Sequence, residues 1–67
     1  MEAIADMEAR VLIGDLIIYD HEHGTEFAKG QDFYLLSSLL EEGMSRDHLF
    51  KIIIDGGDVR SIREKTK

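Results

Sequence analysis

The stretch Arg10-Val-Leu-Ile-Gly-Asp-Leu-Ile-Ile-Tyr-Asp20 decides the fold, because it is rich in β-branched residues and reads as extended chain. Run straight, Val11, Ile13, Ile17 and Tyr19 line one face of a strand, with Leu12, Leu16 and Ile18 on the other. Bent at Gly14-Asp15, the same residues make a tight hairpin. The next reversal signal is stronger: His21-Glu-His-Gly24, with Gly24 supplying a positive φ, sends the chain back as a short strand through Phe27. Gly30-Gln31 then opens a further turn.

Downstream the period changes. Asp32 is placed to N-cap a helix in which Phe33, Leu35, Leu36, Leu39 and Leu40 recur at helical spacing up to Glu42, and Gly43 ends it as a C′ residue. Ser45 is a second N-cap, Asp47 favours the first turn, and Leu49, Phe50, Ile52 and Ile53 supply an apolar stripe. Lys51-Ile-Ile-Ile-Asp55 is also β-branched enough for a strand, so helix and strand both stay open there. Residues 58–64 read as a short strand after Gly56-Gly57. The expectation is an α+β fold in one domain, 1–67: a β-hairpin, a two-helix hairpin and a C-terminal strand (ββααβ), with frayed ends at about 1–8 and 65–67. Its core is expected from Val11, Ile13, Ile17, Phe27, Leu35, Leu39, Leu49, Phe50, Ile53 and Val59.

A chain of 67 residues holds one small core, near the lower size at which a domain folds unaided. With no cysteine there is no disulfide, no thiolate zinc site, no iron–sulfur ligation and no thiol nucleophile. Apolar runs reach four residues, far short of the roughly 20 that a membrane span needs. The acidic N-terminus does not resemble an export signal, so a cytoplasmic protein is expected.

Fourteen acids face eight bases, a net charge of −6. The imbalance is local. Residues 1–32 carry eight acids (Glu2, Asp6, Glu8, Asp15, Asp20, Glu22, Glu26, Asp32) against Arg10 and Lys29, whereas residues 33–67 are balanced at six and six. Such an acidic half repels phosphate backbones and steers basic partners toward itself.

No catalytic set is recognisable. The carboxylates fall in turns, caps and helix ends without an obvious pair, Ser37-Ser38 sits between leucines on a helix, and Gly56-Gly57 lacks the further glycine and lysine of a phosphate loop. The chain therefore reads as a non-enzyme without a cofactor. On a strand His21 and His23 share a face and could offer two imidazoles to a divalent metal, with Glu26 or His48 as a third ligand, though no further-ligand motif accompanies them.

Residues 35–53 resemble a helix-turn-helix, with Gly43 at the turn, Met44 as the buried turn residue, Ser45 starting the second helix, and Leu49 and Ile52 pointing inward. Glu42 and Leu39 depart from the motif, which has an apolar residue before the glycine and a small residue where the helices approach. The resemblance implies a DNA-binding regulator in which Arg46, His48 and Lys51 lie on the exposed side of the second helix, while Arg60 and Arg63, on a wing around Gly56-Gly57, touch phosphates. The leading expectation is different: a small acidic interaction module, a regulator or inhibitor of a protein with a basic or nucleic-acid-binding surface. It would bind through Asp15, Tyr19, Asp20, Glu22, Glu26 and Asp32, and its apolar strand edge is also compatible with a homodimer.

Overall fold

Residues 10–20 are helical. They lie within α1 (Ile4–His23), a 20-residue helix where a strand pair was expected. A computed structural model describes residues 4–65, with side chains through residue 62; of the frayed ends expected at about 1–8 and 65–67, residues 1–3 and 66–67 fall outside the described residues, as does the side chain of Arg63, whereas residues 4–8 and 65 are helical. A 3₁₀ turn (Ala28–Gly30) follows α1, then α2 (Phe33–Glu41), α3 (Arg46–Ile54) and α4 (Val59–Lys65). Among the described residues there is no strand. The α+β expectation is thus overturned at both ends: the 10–28 hairpin is one helix and a turn, and the expected C-terminal strand is α4. The open choice at residues 51–55 falls to helix as far as Ile54.

The correction has a physical reason. Ala9, Leu12 and Leu16 recur at helical spacing on one side of α1 and are completely buried. The β-branched residues that suggested a strand stand largely on the other side: Val11, Ile17 and Ile18 are exposed and Ile13 is half-buried. A helix that is apolar on both faces loses the polar–apolar period by which helices are recognised, and a β-branched run then mimics a buried strand. Upstream, Ala5-Asp-Met-Glu-Ala-Arg10 consists mostly of strong helix formers, which lengthen the helix beyond its costly nucleus. Gly24 does adopt the expected positive φ, +68°, but as a helix terminator: its N–H and that of Thr25 both reach the Asp20 carbonyl, at 2.8 and 3.2 Å.

The central helices follow the sequence closely. Asp32 caps α2, its carboxylate accepting from the Tyr34 and Leu35 N–H groups at 3.0 and 3.2 Å. Gly43, at φ +111°, closes the other end, where its N–H and that of Met44 bond back to the carbonyls of Leu40 and Leu39. Ser45 Oγ accepts from the His48 N–H to cap α3. At α4 the spacing of Val59 and Ile62, which spoils a strand period, is a helical one; Asp58 accepts from the Arg60 N–H at 2.9 Å and leads the chain into the helix.

α1 packs on α2, α3 and the 3₁₀ turn, and α4 closes against α2 and α3. The core is Ala9, Leu12 and Leu16 of α1 with Leu36, Leu39, Leu40, Leu49, Ile53 and Val59. Of the expected core, Val11 and Ile17 are therefore outside, and Ile13, Phe27, Leu35 and Phe50 only border it. The molecule measures 32 × 32 × 17 Å. Since a 20-residue helix is about 30 Å long and about 10 Å across, α1 spans the full width of a body two helices thick.

Candidate interaction site

α1 places its acids at different rotations, and this sorts the expected partner-binding residues. Asp15, Tyr19 and Glu22 come together with Ile18 along the edge of α1 that faces α3, where Arg46, Asp47 and Phe50 complete an open groove. Its volume of about 350 Å³ lies at the small end of the roughly 300–1,000 Å³ of ligand pockets, a size for a side chain more than for a large cofactor. The floor is aromatic. Tyr19 stacks on His23 at 4.0 Å between ring centroids, meets Phe50 edge-on at 5.9 Å, and lies 6.0 Å from Phe27. Three carboxylates, from Asp15, Glu22 and Asp47, rim this floor, with Arg46 as the base among them.

The other three expected residues are placed elsewhere. Asp20 is engaged inward: its Oδ1 accepts from the Thr25 hydroxyl at 2.6 Å and the Phe27 N–H at 2.9 Å, and its Oδ2 from the Ala28 N–H at 2.9 Å. Burial opposes ionisation of this carboxyl, but the Thr25 hydroxyl and the Ala28 and Phe27 amides outweigh it and hold the pKa below the usual aspartate value. Asp20 thereby fixes the chain reversal between α1 and the 3₁₀ turn. Glu26 borders a separate hollow with Ile13, Ile17 and Lys29. Asp32 is the α2 cap described above.

Asp47 and Phe50 are site residues that the sequence reading missed. Asp47 reads as a first-turn acid and Phe50 as core, and nothing local says that either will meet Asp15 and Tyr19; the meeting is a tertiary event. A second missed contact joins α1 to α2: the buried Ser37 hydroxyl donates to an Asp6 carboxylate oxygen across 31 residues of sequence. Every buried side-chain nitrogen or oxygen among the described residues has a partner.

Of the helix-turn-helix candidates, Arg46, His48, Lys51 and Arg60 do not line one common pocket. Arg46 lines the α1/α3 groove, His48 and Lys51 line a hollow with Ile52, Ile54 and Asp55, and Arg60 lines a third with Asp32 and Asp58. The expected wing is the C-terminal turn of α3 leading into α4. His21 and His23 diverge, because residues two apart on a helix are rotated by about 200°. His23 instead stacks on Tyr19 and donates from Nδ1 to the Tyr19 carbonyl at 3.0 Å, near the helix C-terminus. Among the described residues no group of three or more His, Asp or Glu side chains is arranged to hold a metal, and no helix is long and apolar enough to cross a membrane.

Comparison of the chain with protein-family models, with curated proteins and with solved structures found no match in any of the three.

Proposed function

We propose that this chain is a small protein-interaction module, a regulator or inhibitor that binds a partner through basic side chains. The observation that carries the reading is the groove between α1 and α3, where the carboxylates of Asp15, Glu22 and Asp47, outnumbering the one base Arg46, stand beside Ile18, Tyr19 and Phe50. A lysine or arginine suits such a place on two counts. Its stem covers the apolar floor while its head meets carboxylates, and a cation over Tyr19 or Phe50 gains from the ring face. The acidic bias of residues 1–32 adds long-range steering of a basic partner.

Affinity capture with the tagged chain tests this. Asp15 and Glu22 are exposed, so Asp15→Lys combined with Glu22→Lys is expected to leave the fold intact, which circular dichroism checks. The double variant is expected to lose the captured protein at moderate salt; full retention of that protein would rule the groove out as the binding surface.

A further inference from the structure

The outer face of α1 carries more apolar surface than a groove alone explains. Ile4, Met7, Val11 and Ile18 are between 45% and 77% exposed, and their spacing of three, four and seven residues sets them in one stripe along the helix. Gly14 stands at the remaining heptad position, near the helix midpoint, where a Cβ would meet nothing within 4 Å; the backbone is open to close approach there. Beside the stripe runs a second row. Glu8, Asp15 and Glu22 repeat every seven residues and are aligned on one flank. The flank has hollows at both ends: one holds Ile4 and Glu8 against Leu40 and Glu41, and the other is the α1/α3 groove.

We infer that this face receives an amphipathic helix of the partner, with apolar residues at heptad spacing and lysines or arginines on the flank that meets Glu8, Asp15 and Glu22. The inference rests on the groove reading above and extends it along the full length of α1. Charge chooses this occupant over a second copy of the chain. Laid antiparallel, a second α1 would set Glu8 against Glu22 and Asp15 against Asp15 across the seam. Laid parallel, the acidic row would face Arg10 and Ile17, one base for three acids, and Arg10 already lies over the Phe33 ring at 6.0 Å. A basic helix removes the repulsion and covers the stripe.

Two synthetic peptides of about three heptads serve as probes, both with leucine at the seam positions, one with lysine and the other with glutamate on the flanks. Fluorescence anisotropy with the full chain should show binding of the lysine peptide, weakening with added salt, and none of the glutamate peptide. Val11→Ser and Ile18→Ser should each weaken it roughly tenfold. Ile17→Ser, at an exposed residue off the stripe, should leave it unchanged. Equal binding of both peptides, or binding of neither, overturns the inference. So does a concentration-dependent dimer abolished by Val11→Ser, which would assign the face to a second copy. Loss of binding at Ile18 and Glu22 with none at Val11 would overturn the helix while leaving the groove standing. The groove reading itself falls only if capture of the partner ignores Asp15 and Glu22.

Discussion

At the scale of single residues, the clearest division of labour is among the acids of the first half of the chain. Asp6, Asp20 and Asp32 hold structure, through the Ser37 hydroxyl, the reversal after α1 and the start of α2, whereas Asp15 and Glu22 face outward into the groove. Asp20 makes this measurable. Its carboxyl titrates below the ordinary aspartate value of about 3.9, so the ionised form is favoured by the folded state. The stabilisation is therefore complete above the unfolded-state pKa and disappears as pH falls through the lower, folded-state one. Asp20→Asn, which turns an amide donor toward one of these three donors, should lower the thermal midpoint by several degrees above about pH 5, and the gap to wild type should close as pH falls below about 4. Parallel melting curves from pH 7 down to about pH 2.5 check it; a gap that stays constant would mean that the charge on Asp20 contributes nothing.

At the scale of elements, α1 is where sequence and structure part. Two neighbouring positions report its nature with opposite signs. Gly14→Ala should stabilise the fold by about 0.5–1 kcal/mol, because alanine is the better helix former and its Cβ enters open space. Were Gly14-Asp15 the tight turn of a hairpin, the same change would destabilise. Leu16→Ala empties a fully buried position and should cost about 2–5 kcal/mol, a large share of the roughly 3–10 kcal/mol expected of a 67-residue domain. Urea titrations of the two variants check both. The capped helices, by contrast, were legible because their ends carry local chemistry. Asp32, Gly43 and Ser45 act on backbone groups within a few residues of themselves, so the context that makes them caps is already in the neighbouring sequence.

At the scale of the molecule, thinness and charge matter most. A body 17 Å thick covers α1 from one side, so its outer residues meet solvent even though they are isoleucine, valine and methionine. The net charge of −6 acts on the whole fold as self-repulsion. Raising salt from about 20 mM to about 300 mM should therefore raise the thermal midpoint of the isolated chain while weakening its hold on a basic partner. Calorimetry and a binding titration over the same salt series should show the two trends in opposite directions; a midpoint that falls with salt would mean that attractive pairs outweigh the repulsion.

The amino-acid sequence by itself determined the caps and turns of α2 and α3, the positive φ at Gly24, and an acidic bias confined to the first 32 residues, all of them properties set by near neighbours or by counting. Only the tertiary structure decided that residues 4–23 form one helix, because a run whose apolar residues are spread around the helix takes its conformation from which face the rest of the chain buries, here Ala9, Leu12 and Leu16. That same choice of face turned Val11 and Ile18 outward, separated Asp20 and Glu26 from Asp15 and Glu22, and brought Asp47 and Phe50 to Tyr19 from about thirty residues away. Packing between distant segments makes the site, and local sequence carries no record of that packing.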